Sequence, residues 1–149
     1  MTSQHLAIAK AIAERFKAVP DIAGDRIYLN RSRALSSDKT SAVVVRVARS
    51  ASKESSQVGG RTSWSTLIEI ECLGRDGADD VPGTCADQVL ELVFNNLDGA
   101  VDLGYGVMSI EPLDGSTLDW DFDQLDSSVA CVTARFVVKH QTNGRTLKL

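Results

Sequence analysis

Residues 118–140 read LDWDFDQLDSSVACVTARFVVKH, and the alternation of apolar and polar side chains predicts two β-strands joined by a short polar turn. In the first strand, Trp120 and Phe122 share one face, which predicts that this strand is half-buried. In the second strand, one face is apolar throughout and consists of Ala130, Val132, Ala134, Phe136 and Val138. We therefore expect this hairpin to lie at the centre of a β-sheet.

The other face of the first strand carries Asp119, Asp121 and Asp123, which have the spacing of the opening ligands of a calcium-binding loop. Such a loop also needs glycine at its sixth position and glutamate at its twelfth. This chain has Gln124 and Ala130 at those positions. We therefore interpret the aspartates as a solvent-exposed acidic strand face and predict no metal site.

Two helices are predicted from apolar residues at helical spacing. The first begins after Thr2 or Ser3 as the capping residue and ends before Pro20. The second is expected to be capped by Asp79 or Asp80, with Pro82 in its first turn. The other predicted strands lie at residues 26–30, 42–49, 61–73 and 107–111. The order of the elements predicts an α+β fold with a mostly antiparallel or mixed β-sheet and two α-helices packed on one face.

Residues 50–60, SASKESSQVGG, differ from their surroundings because they are small and polar and end in two glycines. Such a composition buries too little apolar surface to offset the entropy of ordering it. We predict a flexible hairpin loop here that becomes ordered when the protein docks on a partner. The C-terminal residues 141–149 are expected to be frayed.

The size and charge of the chain restrict its class. Its 149 residues fit a single domain that spans residues 1–149. A net charge of -4 argues against a specific nucleic-acid binder, which usually carries a basic surface. The sequence has no apolar run of the length that spans a membrane and no signal-peptide pattern, so we expect cytosolic synthesis and no membrane contact. The three cysteines, Cys72, Cys85 and Cys131, are expected to be free, packed thiols.

Motifs for catalysis are missing from the sequence. His5 and His140 are the two histidines, and neither lies in a recognisable nucleophile motif. Glu69 and Glu71 share a strand face, where they are compatible with a general acid/base pair, but such exposed acids more often serve solubility. We therefore predict that the protein is not an enzyme and has no cofactor.

A basic region precedes the polar loop. Arg31, Arg33, Arg46 and Arg49 lie within it, and they are either a contact for an acidic partner or ordinary surface charge.

The ordered set of segments resembles the tail terminator proteins of long-tailed bacteriophages, the family of the minor tail protein U type. The resemblance is carried by LAIAKAIAERFKAV from residue 6, RIYLN from residue 26, AVVVRVAR from residue 42, WSTLIEIECLGRD from residue 64 and the closing stretch from residue 118. These segments cover nearly the whole chain, and the aspartate-rich strand that leads into VTARFVVKH is the most specific of them.

The resemblance implies a subunit that assembles into a hexameric ring on the last ring of the tail tube. The ring would stop tube polymerisation and present a surface to the head connector. The implied partners are therefore other copies of the chain, the tail tube protein and the head–tail connector or neck protein. The implied location is the head-proximal end of the tail in the virion, after synthesis in the bacterial cytoplasm.

The family supplies no catalytic residues, so the candidate sites are contacts with neighbouring subunits or with the tail tube. They are the charged and polar residues of the loop and its flanking strands: Arg46, Arg49, Lys53, Glu54, Gln57, Arg61, Glu69 and Glu71.

Two other classes of protein fit the sequence. One is another neck or tail-completion protein of the head–tail interface, which has a similar size and layout. The other is a small α+β enzyme or ligand-binding domain, which a convergent cluster of His, Cys or acidic side chains in a pocket would favour.

Overall fold

The structure of the protein, a computed structural model, describes residues 2–30, 40–53, 60–98, 103–122, 128–144 and 146–147. Within these residues the helices are α1 (Gln4–Lys17), α2 (Pro20–Ala23) and α3 (Thr84–Leu97). The strands are β1 (Ile27–Leu29), β2 (Ser41–Lys53), β3 (Thr62–Arg75), β4 (Val107–Pro112), β5 (Leu118–Phe122) and β6 (Val129–Thr142). The fold is α+β, as predicted.

All the strands belong to one mixed sheet. Its order is β1-β2-β3-β6-β4, and β5 also pairs with β6. The β1–β2 pair is parallel, and the other described pairs are antiparallel. β3 and β6 form the long central pair, which runs in unbroken register from Thr62 opposite Thr142 to Arg75 opposite Val129. The second strand of the predicted hairpin is thus central, as expected.

β4 and β5 lie one after the other along the same side of β6. β5 is opposite residues 130–134 of β6, and β4 is opposite residues 136–140. Between them, the carbonyl of Arg135 accepts a hydrogen bond from the amide of Leu113, and its own amide donates to the carbonyl of Thr117. The two strands therefore act as one edge of the sheet, interrupted by the turn at residues 113–117.

One face of the sheet packs against α1 and α3 and forms the main core. The predicted apolar face of β6 is confirmed, because its side chains are buried in this core together with those of one face of β3: Ile68, Ile70, Cys72, Ala130, Val132, Ala134, Phe136 and Val138. The helices contribute apolar residues that include Ile8, Ile12, Phe16, Val89 and Val93. We call the opposite face of the sheet the open face; a small cluster of Ala42, Val44 and Leu73 is buried on it.

The prediction that β5 is half-buried is wrong. All five of its residues are exposed. Trp120 and Phe122 lie on the same side of the sheet as the helices, since they are opposite the buried Val132 and Ala130. However, they lie at the edge of the sheet beside Gly83, where α3 begins, and the helix covers only part of each ring.

The boundaries predicted for the loop and the tail are also corrected. Residues 50–53 belong to β2, where their backbone pairs with β3 as far as Lys53 opposite Ser63. The rest of the predicted loop, residues 54–59, lies outside the described residues. At the C-terminus, β6 continues to Thr142, which is buried, and the carbonyl of Leu147 accepts a hydrogen bond from the amide of Gln4. Polar composition predicted loops in both places because it does not reveal which backbone has a partner strand.

The prediction of two helices missed the four-residue helix α2, where a turn was expected after Pro20. Proline is compatible with the first position of a helix, and Ile22 and Ala23 are buried against the core. The N-terminus of α3 also differs. Its capping position is Gly83, and the carboxylate of Asp76 accepts hydrogen bonds at 2.8 Å from the amides of Gly83 and Cys85.

We expect Asp76→Ala to lower the free energy of unfolding by about 1–2 kcal/mol, because it leaves two amides of the α3 N-terminus without their acceptor. Asp79→Ala is a suitable control, since Asp79 was a predicted cap and its exposed carboxylate accepts neither of these bonds. Urea denaturation of both variants measures the difference. An equal effect of the two substitutions would show that Asp76 does not cap the helix.

Candidate assembly surface

Charged side chains form a ladder across four strands on the open face. Arg46 of β2 lies 2.9 Å from the carboxylate of Glu71 on β3. Glu69, also on β3, lies 3.4 Å from the guanidinium of Arg135 on β6, and Arg135 also pairs with Asp119 on β5. The hydrogen bond to Asp119 raises the pKa of Arg135 above its ordinary value. The ladder runs from the β2 side of the open face to the β5 edge.

Each of these ion pairs contributes little to stability on its own, because pairs that water still reaches contribute about 0–1 kcal/mol. Their main effect is to fix the positions of the charged side chains. Arg46, Glu69 and Arg135 are held across neighbouring strands in fixed positions, with much of each side chain covered. The carboxylates of Glu69 and Glu71 therefore face arginines, which favours a structural role over the general acid/base pair considered above.

The structure places some of the candidate contact residues on this face. Arg46, Glu69 and Glu71 lie together in the ladder. Arg49 and Lys53 lie further along β2, and Arg61 lies just before β3; all three are exposed. The other candidates, Glu54 and Gln57, lie outside the described residues, as do Arg31 and Arg33 of the predicted basic region.

An apolar stripe on β5 is the surface feature that sequence reasoning missed. Leu118, Trp120 and Phe122 are 39%, 45% and 48% exposed. Val81, which precedes the start of α3, is 75% exposed. The rings of Trp120 and Phe122 come within about van der Waals distance of a methyl group placed on Gly83, which has φ 92°. Large exposed apolar groups that lie together on an edge strand are typical of an interaction surface.

A polar chain lies buried between α1 and the sheet. Both ring nitrogens of His140 are bonded, Nδ1 to Gln4 Oε1 at 2.7 Å and Nε2 to Thr66 Oγ1 at 2.6 Å. Gln4 Nε2 donates to the carbonyls of Tyr105 and Gln141, which sets the orientation of its amide. Gln4 Oε1 can therefore only accept, so the proton of neutral His140 is on Nδ1.

The chain of bonds continues from Nε2 of His140, which accepts from the hydroxyl of Thr66. Thr66 in turn lies 2.8 Å from the hydroxyl of Ser50 on β2. The ring of His5 packs edge-on against His140 and Trp64, with ring centroids 4.9 Å and 4.7 Å apart. This network connects the N-terminus of α1 to β2, β3 and β6, and it is structural rather than an exposed reactive site.

The three cysteines are free, as predicted. Burial, with a contribution from Cys131, raises the pKa of the Cys72 thiol far above its usual range. Burial and the charge of Glu71 raise the pKa of Cys131 to about 11. Cys72 and Cys131 are therefore protonated at neutral pH and are poor nucleophiles.

Within the described ranges, no group of His, Cys, Asp and Glu side chains has the arrangement that could hold a metal ion. None of the helices in those ranges is both long and apolar enough to cross a lipid bilayer.

Comparison with solved structures finds chains with a similar fold. No protein-family model matches the sequence, and no curated protein sequence matches it. The fold is similar to that of a chain in the virion of a native gene transfer agent particle, with a TM-score of 0.61. The two chains are 14% identical, and the match covers 89% of this chain and 93% of the other. At this identity the likeness shows a shared fold over nearly the full length of both chains.

Proposed function

We propose that this chain is a structural virion protein that ends the phage tail tube as a hexameric ring. The ring stops tube polymerisation and forms the surface to which the head connector attaches. The observation that carries the proposal is the fold, which is similar to that of a virion chain over 89% of this sequence. The ordered set of segments that resembles the tail terminators supports the finer assignment.

The surface supports a role in assembly. Its open face carries both signs of charge, and its β5 edge exposes large apolar side chains that a monomeric protein rarely gathers together. We assign the contacts with neighbouring subunits and the tail tube to the candidate residues of this face and of residues 50–60. The chemistry of the buried groups agrees with a role other than catalysis, because Cys131 is protonated and His140 is enclosed.

The test is electron microscopy of particles made with and without the protein. Deletion of its gene is expected to give overlong tails of variable length, because nothing then stops the addition of tube rings. Expression of the wild-type chain from a plasmid should restore uniform tails, and this is the control for effects on neighbouring genes. Tails of normal length without the protein would contradict the proposal, and if such tails were detached from heads they would indicate a joining protein of the neck.

A further inference from the structure

β5 has one side of its backbone unpaired within the described residues. Its partner there is β6. The carbonyl of Thr117 accepts from the amide of Arg135, so alternation along the strand directs the backbone groups of Asp119 and Asp121 towards β6 as well. The amides and carbonyls of Leu118, Trp120 and Phe122 then point outward. These are the residues with exposed apolar side chains.

The opposite side of the sheet has a second exposed edge. In the part of the chain that the structure describes, β1 pairs with β2 at residues 43–45, and a hydrogen bond from the amide of Val47 to Asn30 Oδ1 continues this contact. Beyond it, residues 48–53 are all exposed, and their described strand partner is β3 on the inner side. Among the residues that the structure describes, the sheet thus ends in two strand edges of similar length, β5 on one side and residues 48–53 of β2 on the other.

The two edges carry opposite charge on the same face. Asp119 and Asp121 lie on the open face, because they are opposite Thr133 and Cys131. Arg49 is opposite Leu67 in β3, and Lys53 is opposite Ser63, which places both on the open face as well. Within the described part of the chain, Arg49, Lys53 and Asp121 form no ion pair.

We propose that β5 of one copy pairs with residues 48–52 of β2 in a second copy. Inside one chain β5 runs antiparallel to β2, since three antiparallel steps separate them. If a second copy extends the sheet in the same orientation as the first, its β2 therefore runs antiparallel to β5 of the first copy. The register that places Trp120 opposite Ser50 also places Asp121 opposite Arg49, and it aligns each residue of β5 with a residue of the other copy.

This contact gives a partner to two edges that have no strand beside them in the described parts of the chain. Unpaired edges attract other strands, and proteins usually block them unless they are used. The contact joins two different surfaces, so each copy retains one free edge and assembly continues until a ring closes. Closure into a ring rests on the proposed function, whereas the pairing of the two edges does not.

Two charge reversals test the contact in the full-length protein. Asp121→Lys alters the β5 edge, and Arg49→Glu alters the β2 edge. Each is expected to weaken self-association, measured by analytical ultracentrifugation over a range of concentrations, about tenfold or more because like charges then face each other. Glu91→Lys and Lys10→Glu are the matched controls, since they make the same changes in charge at exposed helical positions and should leave association unchanged.

A double variant and a mixture of the two single variants distinguish this contact from general effects of charge. The protein that carries both reversals should associate again, because the swapped charges attract. In a mixture of the two single variants, the lysine introduced into β5 of one variant faces the glutamate introduced into β2 of the other. The remaining edges of the two variants are unaltered, so Asp121 faces Arg49 there. Both contacts are attractive, and the mixture should therefore associate more strongly than either variant alone. Asp121 and Arg49 are both exposed, so the thermal midpoints of the variants should match that of the wild type.

The proposal is overturned if wild-type protein stays monomeric up to its solubility limit, or if the edge variants associate as well as the helical controls. These results are separate from those of the electron microscopy. Overlong tails in the deletion strain together with unaffected association would leave the terminator role intact and reject this contact. Normal tails together with the expected loss and recovery of association would reject the role and keep the contact.

Discussion

Replacing Gly74 with alanine is expected to lower the free energy of unfolding by about 3 kcal/mol, the upper part of the range for overpacked sites. Gly74 lies in β3 where the strand passes the start of α3. A methyl group at this position would lie 2.3 Å from the backbone nitrogen of Ala86 and 2.6 Å from the carbonyl carbon of Cys85. Backbone atoms cannot rotate away as a side chain does, so the helix and the strand must separate.

That separation would also disturb the cap of α3. Asp76 follows Gly74 by two residues, and its carboxylate reaches Gly83 and Cys85 because the strand and the helix are in close contact. The loss from Gly74→Ala therefore includes part of the capping energy. The two effects should be less than additive in the double variant with Asp76→Ala.

Gly77→Ala is the matched control, since its added methyl group would meet the end of a side chain, Asp80 Oδ2 at 3.0 Å. We expect a change of at most about 0.5–1 kcal/mol there, because an exposed carboxylate can move aside. Urea denaturation followed by tryptophan fluorescence measures both variants. Equal losses for Gly74 and Gly77 would mean that the strand and helix accommodate a methyl group without strain.

The second large effect is a loss of stability in acid that depends on His140. Burial, together with the neighbouring His5, lowers the pKa of His140 to about 4, whereas the unfolded chain has a value near 6.5. Between these values the unfolded state binds the proton and the folded state does not. The free energy of unfolding is therefore not reduced by this group above about pH 6.5. As the pH decreases towards 4, protonation of His140 in the unfolded state lowers it by about 2–3 kcal/mol.

A variant without the imidazole isolates this contribution. His140→Leu should be less stable at pH 7 by about 2–3 kcal/mol, since Gln4 and Thr66 lose their buried partner. It should also lose much less stability than the wild type between pH 6.5 and 4. Carboxylates titrate in both proteins, so the difference between the two pH profiles is the quantity to compare. Parallel profiles would show that the pKa of His140 is the same in the folded and unfolded states.

Periodicity was sufficient for the core. The alternation in β6 placed Val132 and Phe136 on one apolar face, which is buried, and helical spacing predicted the two long helices that pack against it. These assignments succeeded because a period of two or 3.6 residues is a local property of the backbone. The open face was also recognised as polar, and three of the candidate contacts lie together there in the ion-pair ladder.

Local pattern failed where the answer depends on a distant segment. Asp76 caps α3 because Gly74 allows β3 and α3 to approach, and neither residue resembles a capping signal. His140 was noted only as one of two histidines outside any catalytic motif. Its burial with Gln4 joins residues that are separated by nearly the whole chain.

The strands 118–122 and 129–142 show this difference within one hairpin. Their alternation alone placed Trp120 and Phe122 on one face of the strand and Asp119 on the other, and the structure agrees. The position of β5 left that apolar stripe exposed and put Asp121 on a strand whose outer side has no partner in the described ranges. Side-chain alternation specifies which residues share a face, whereas the packing of other elements decides whether that face is covered.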